Sequence, residues 1–124
     1  MMKIRSLLCA GIALSWGVFA ALPVQAETKF FSIMPDVPVA AGFRELTDSI
    51  MMFDTPEGRL LDFSAQSNSQ LACQGAIAFY VQTLPHLGWR AQQRSFVREG
   101  ERLDMRLEQQ SADLCVLYFS VRPQ

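Results

Sequence analysis

The chain has 124 residues, of which half are hydrophobic, and 11 basic against 12 acidic residues give it a net charge of −1. A near-neutral chain of this size has no general attraction for a polyanion, so nucleic-acid binding is not expected. The length accommodates one small domain with a single hydrophobic core.

The first 26 residues have the pattern of a cleaved secretory signal peptide. Lys3 and Arg5 provide a basic start, an apolar run follows over residues 7–22, and Ala26 is the small residue that a signal peptidase requires before its cut. An uncleaved membrane anchor is the alternative, although the run is shorter than the ~20 apolar residues of a spanning helix. We therefore expect an exported bacterial protein that works in the periplasm.

Cleavage after Ala26 changes the balance of charges and cysteines. Loss of Lys3 and Arg5 leaves nine basic against 12 acidic residues, a net charge of −3, and no second hydrophobic span. Cys73 and Cys115 are then the remaining cysteines. An even number of cysteines in an oxidising compartment favours a disulfide, and two reduced, buried thiols are the alternative.

Residues 27–48 predict an extended arm that leads into the domain proper at residues 49–124. Pro35 and Pro38 exclude a helix interior in this arm, because each fixes its own backbone and keeps the residue before it extended.

The domain begins with a predicted β-hairpin over residues 49–65. Pro56 and Gly58 fit the tight turn between its two strands. The residues expected to face inward are Phe53, Leu61 and Phe63.

A helix is the clearest predicted element. Asn68 or Ser69 can cap its N-terminus, and apolar residues then recur every three or four positions, which places them on one face. These residues are Cys73, Ala76, Ile77, Tyr80 and Leu84. Gly75 is expected to allow a close approach between the helix and a sheet.

The segment FYVQTLPHLGW at residues 79–89 is interpreted as the end of this helix and not as a chemical site. Pro85 disfavours continuation of the helix, Gly88 can take a left-handed conformation, and Trp89 then begins a strand. His86 is the only histidine, which excludes a multi-histidine metal site, and no GxSxG motif accompanies it. We expect no catalytic residue, no cofactor and no metal ligand.

Three further strands are predicted in the segments WRAQQRSFV, RLDMRLE and LCVLYFSV. Arginines recur at every fourth residue from Arg90 to Arg106, and on strands we expect them to form a solvated face with cross-strand ion pairs. A site for anionic headgroups or glycan phosphates is the alternative.

The last predicted strand is apolar on both faces, which is typical of a strand whose second face is covered. This second face carries a candidate partner-binding strip of Leu114, Val116 and Tyr118. The alternative is that the arm folds back over the strip.

Together these elements predict an α+β fold of two layers, with one α-helix packed across a mostly antiparallel sheet of four or five strands. The predicted core consists of Leu61, Phe63, Ile77, Tyr80, Leu84, Trp89, Leu103, Met105, Leu107, Leu117 and Phe119.

The helix-stop motif FYxxxLPxLGW and the closing Pro123 resemble those of small exported bacterial envelope proteins of uncharacterised function. The motif residues are Phe79, Tyr80, Leu84, Pro85, Gly88 and Trp89. The resemblance covers most of residues 34–123 and implies an architecture and a compartment. The helix-over-sheet modules of outer-membrane assembly lipoproteins are more distantly similar, but this chain lacks their lipidated cysteine.

We therefore expect a non-enzymatic interaction or accessory module of the cell envelope, whose partner is another envelope protein. The alternative function is a small carrier or sensor of an amphipathic ligand. Such a ligand would need a cavity lined by Met51, Met52, Phe53 and Phe79, which are adaptable residues for that role.

Overall fold

The computed structural model describes residues 28–124 and four isolated positions, 11, 13, 15 and 17. Apart from these four positions, the predicted signal peptide at residues 1–26 lies outside the described residues. The described part folds as one α-helix with an antiparallel sheet of seven strands. The predicted α+β class is confirmed, whereas the predicted number of four or five strands is too low.

The elements follow one another along the chain as β1 (Arg44–Glu45), β2 (Met51–Thr55), β3 (Gly58–Ser67), α1 (Gln70–Thr83), β4 (Arg90–Gln92), β5 (Ser95–Arg98), β6 (Glu101–Gln109) and β7 (Cys115–Pro123). Short 3₁₀ helices lie at Thr47–Ser49 and Leu84–Leu87.

The strand order across the sheet is β1-β3-β7-β6-β5-β4, and β2 pairs with β3 on the same edge as β1. Two strands account for the difference from the prediction. The short β1 was not expected, and the predicted strand WRAQQRSFV is divided into β4 and β5. Gln93 turns the chain between these two strands with a positive φ of 55°.

Helix α1 begins at Gln70 because the Ser69 hydroxyl accepts a hydrogen bond from the Ala72 amide at 3.2 Å. Cys73, Ala76 and Tyr80 are buried against the sheet. Ile77 does not join them and is 38% exposed. Each residue turns the helix by about 100°, so Ile77, which follows the buried Ala76, lies on the side of the helix and not on the face that packs against the sheet.

Gly75 also differs from the prediction, because a Cβ atom at this position would have nothing within 4 Å. The glycine that permits a close approach to α1 is Gly42, which precedes β1. A Cβ there would lie 2.8 Å from the Cβ of Ala72, and the φ of Gly42 is +82°.

The predicted arm is part of the domain core. Phe31, Met34 and Val37 are almost fully buried, and the Phe31 ring centroid lies 4.8 Å from that of Phe63 and 5.2 Å from that of Phe119. The boundary expected at residue 49 therefore does not separate two packing units, because α1 alone leaves part of the sheet for these residues to cover. The arm lies on the same side of the sheet as α1.

The remaining predicted core residues are found in the same cluster. Eight of them are fully buried: Leu61, Phe63, Tyr80, Leu84, Trp89, Leu103, Leu117 and Phe119. Met105 and Leu107 are partly buried against this cluster.

A disulfide joins Cys73 in α1 to Cys115 at the start of β7, with a Cα–Cα distance of 6.0 Å. It fixes the first turns of the helix to a central strand of the sheet.

Candidate functional site

The side of the sheet opposite α1, which we call the open face, has an unusual distribution of charge. Register and alternation place these charged residues on it: Arg44, Asp62, Arg90, Arg102, Asp104, Arg106, Glu108 and Arg122. Five arginines thus face three carboxylates, whereas residues 28–124 as a whole contain nine basic and 11 acidic residues. The open face is positive within a negative domain.

Ion pairs connect most of these charges. Asp62 accepts a hydrogen bond of 3.0 Å from Arg122, and Asp104 accepts one of 3.0 Å from Arg102. The Arg102 pair joins neighbours on one strand, as does the looser contact from Arg106 to Glu108 at 3.8 Å. The sequence predicted pairs across strands, but residues two apart on one strand also share a face. All of these side chains are partly exposed, so each pair contributes little to stability.

A groove of about 340 Å³, which we call the sheet groove, lies in the middle of the open face. Its lining side chains form two rows across β3, β7 and β6. One row is Asp62, Ser120 and Asp104, and the next is Ser64, Tyr118 and Arg106. The Arg106 guanidinium lies over the Tyr118 ring, 4.7 Å from its centroid.

The strand β2 forms an apolar edge of the sheet. Met51, Met52 and Phe53 are 54%, 51% and 57% exposed, and within the described chain β2 pairs with β3 alone. Phe53 was predicted to face inward, and this is wrong because its register partner Leu60 lies on the open face, which α1 and the arm do not cover. We call these three residues the β2 edge.

The four residues expected to line a ligand cavity do not share one. Phe79 lies on α1 and lines a separate groove of about 320 Å³ together with Lys29, Val39 and Phe43. The β2 edge takes no part in that groove.

The predicted partner-binding strip is not a continuous exposed surface. Leu114 and Tyr118 are half-buried, and Val116 is only 9% exposed between Gln66 and Glu108 on the neighbouring strands. The arm does not cover these residues, because it packs on the other side of the sheet.

The residues of the helix-stop motif lie at the end of α1 and in the core. Tyr80, Leu84 and Trp89 are almost fully buried, and Gly88 has a φ of 91° after the 3₁₀ helix that contains Pro85. The Arg98 guanidinium lies 4.5 Å from the centroid of the Trp89 ring. Phe79 is half-buried beside Tyr80, with 4.9 Å between ring centroids.

The outward side of α1 is a third uncovered surface. Leu71 is 81% exposed and Val81 is 52% exposed, and no residue of the helix is charged. His86 is exposed in the following 3₁₀ helix.

Residues 28–124 contain no cluster of three or more His, Cys, Asp or Glu side chains arranged to hold a metal ion. The helix found in this range is too short to cross a membrane. The chain matches no protein-family model, and neither the curated proteins nor the solved structures compared with it give a significant match.

Proposed function

We propose that this protein is a non-enzymatic interaction module of the bacterial cell envelope, exported to the periplasm, that binds an extended segment of another envelope protein along β2. The observation that carries the proposal is the β2 edge, where three consecutive large apolar side chains are each more than half exposed.

A strand paired on one side offers its outward N–H and C=O groups to another chain. Natural proteins usually protect such edges with charged side chains, prolines or bulges. Over Met51, Met52 and Phe53 the β2 edge has none of these, and Asp54 is the first charged residue after them. Strand addition combines main-chain hydrogen bonds, which supply affinity, with side-chain contacts, which supply specificity.

Both sides of β2 contribute to the expected recognition. Met51 and Phe53 face the open face, and Met52 faces the side of α1, because successive side chains alternate. A partner strand with apolar residues on both of its faces fits this edge best. Methionine suits such contacts because its unbranched side chain adapts to different neighbours.

Two features support the proposed compartment. The leader has the pattern of a signal peptide, and disulfides such as Cys73–Cys115 persist mainly in oxidising compartments.

The proposal is tested by site-specific photo-crosslinking in cells. A photoreactive residue at Met52 is expected to capture a defined envelope protein, whereas one at Leu71, exposed on the outward side of α1, is not. Met52→Lys, which adds a charge to the edge, should abolish capture from a probe at Met51. Leu71→Lys is the matched control and should leave that capture unchanged.

Circular dichroism and the oxidation state of the cysteines show whether each variant is folded. Folded Met52→Lys protein that is still captured from Met51 to the wild-type extent would refute binding along β2. Absence of any captured protein from the β2 edge would refute the proposal as a whole.

A second candidate function is that of a small carrier for an amphipathic ligand. The specific observation is the groove between the arm and α1, where Val39, Phe43 and Phe79 provide an apolar lining and Lys29 a positive charge. An acyl chain with an acidic head group would complement this groove, because its chain is apolar and its head is negatively charged. Native mass spectrometry of the exported protein should then show a bound lipid that is lost in Phe79→Ala and retained in Leu71→Ala.

A further inference from the structure

The sheet groove presents hydrogen-bond donors and acceptors side by side. Side chains in one row are about 4.8 Å apart from strand to strand, and the two rows are about 6.7 Å apart along the strands. In one row the hydroxyl of Ser120 lies between two carboxylate acceptors, Asp62 and Asp104. The other row contains the phenol of Tyr118 and the donor-only guanidinium of Arg106.

Several of these groups are free to bind a ligand. Within the described residues, the hydroxyls of Ser120 and Tyr118 form no hydrogen bond, while Ser64 is engaged with Ser49 and Asp104 with Ser95. The Arg106 side chain is 70% exposed and can turn away from the Tyr118 ring. Its movement would uncover an aromatic face at the floor of the groove.

The local charges select the kind of ligand. Asp62 and Asp104 are each already paired with an arginine, so a cationic ligand would have to displace Arg122 or Arg102. An anion bound to Arg106 would lie one row from both carboxylates and would be repelled by them. A neutral molecule with many hydroxyl groups uses donors and acceptors together and leaves the Asp62–Arg122 and Asp104–Arg102 pairs in place.

We infer that the sheet groove binds a neutral carbohydrate of one or two sugar rings. The hydroxyls of the sugar donate to Asp62 and Asp104 and accept from Arg106, and the apolar face of a ring packs on Tyr118. The volume of about 340 Å³ falls within the usual range for small-ligand sites. The β2 edge adjoins this site, since Met51 pairs with Asp62, but none of its three residues lines the groove, so the inference does not depend on the proposed partner binding.

The inference is tested by titrating the isotope-labelled protein with two neutral disaccharides, N,N′-diacetylchitobiose and maltose, and with inorganic phosphate as the anionic probe. Binding of either sugar should shift the amide resonances of Ser64, Tyr118 and Ser120. The amides of Leu71 and Phe79, which lie on α1 and away from the groove, should not move.

Ser120→Phe fills the groove and should weaken sugar binding about tenfold or more. Ser111→Phe places the same side chain in the exposed β6–β7 turn and should leave the affinity unchanged. Tyr118→Leu removes the aromatic surface and should weaken binding several-fold.

The wild-type titration alone tests sugar binding at the sheet groove, even if a variant fails to fold. Sugar-dependent shifts confined to the groove support the inference. Shifts elsewhere, or none with either sugar, overturn it. Phosphate-dependent shifts at the groove without any response to sugar also overturn it and assign an anion site instead. None of these outcomes depends on capture at β2, so failure here and failure of the proposed function are distinguishable.

Discussion

The hydroxyl of Tyr80 on α1 donates a hydrogen bond of 2.7 Å to the carbonyl oxygen of Pro38, 42 residues earlier in the chain. The hydroxyl oxygen of Tyr80 also accepts a hydrogen bond of 3.0 Å from the Ala40 amide. One buried side chain therefore satisfies both a donor and an acceptor of the arm, and it fixes the arm against the helix.

Tyr80→Phe should lower the free energy of unfolding by about 1–3 kcal/mol, because a buried amide and a buried carbonyl lose their partner. Tyr118→Phe is the matched control, since its hydroxyl has no partner among the described residues, and its effect should stay within about 0.5 kcal/mol. Urea unfolding followed by circular dichroism measures both. Equal effects would show that the Tyr80 hydrogen bonds contribute nothing specific.

The stability should also depend on Tyr80 at alkaline pH. Burial raises the pKa of the Tyr80 phenol far above its ordinary value of 10.0, and the hydrogen bond from Ala40 offsets only part of this effect. The contribution of Tyr80 is therefore fully present below about pH 10 and is lost as the pH rises from there towards the folded-state pKa, because the unfolded chain releases this proton first.

We expect the free energy of unfolding to fall by up to ~1.4 kcal/mol per pH unit above about pH 10 for this one proton. Urea unfolding of wild type and Tyr80→Phe at several alkaline pH values isolates the effect. The two proteins should differ in slope, and parallel curves would contradict the prediction.

Two adjacent phenylalanines test the role of the arm. Phe31→Ala should cost about 3–5 kcal/mol, because it removes a ring that contacts Phe63 and Phe119 in the core. Phe30→Ala should cost well under 1 kcal/mol, since that side chain is 46% exposed. Thermal or urea unfolding of both variants provides the comparison. A peripheral arm would instead make the two costs similar.

Two glycines should respond to alanine in opposite ways. Gly75→Ala is expected to stabilise the protein by about 0.5–1 kcal/mol, because Gly75 lies within α1 and a methyl group there contacts nothing. Gly42→Ala should destabilise it, since the new methyl would meet Ala72 at 2.8 Å and the φ of +82° is unfavourable. Differential scanning calorimetry should show one melting temperature rise and the other fall.

Loss of the disulfide should lower the free energy of unfolding by about 4 kcal/mol, from the entropy that the bridge removes from the unfolded chain. Unfolding of wild type with and without reductant measures this. The double variant Cys73→Ala with Cys115→Ala is the control and should be insensitive to reductant. A reductant effect on the double variant would mean that the reagent acts elsewhere.

Several parts of the fold could be predicted because local patterns determine them. The helix follows from Ser69 as its cap and from the spacing of Cys73, Ala76 and Tyr80. The α+β class and the disulfide were likewise predictable from periodicity and from an even number of cysteines.

Other features depend on contacts between distant residues. The burial of Phe31 could not be predicted, since nothing in its local pattern distinguishes it from the exposed Phe30. Phe53 alternates like a core residue, but its pairing with Leu60 places it on the open face, opposite α1. The division of WRAQQRSFV into two strands depends on the backbone of Gln93, which is not a typical turn residue.

The composition of the sheet groove also depends on contacts between distant residues. The alternation of side chains along a strand indicates that Asp104 and Arg106 share a face of β6. The residues beside them on that face depend on which strands pair with β6. Only the pairing of β7 between β3 and β6 brings Ser120 and Tyr118 between Asp62 and Arg106.

The contact between Phe31 and Phe119 spans 88 residues and joins the two ends of the described chain. The core therefore cannot be completed until β7 has emerged from the ribosome or, for an exported chain, has crossed the membrane. Long-range pairing of this kind slows folding, since the closure of a long loop precedes the contacts that stabilise it. For the exported chain that we propose, this late completion of the core would leave the chain unfolded while it crosses the membrane.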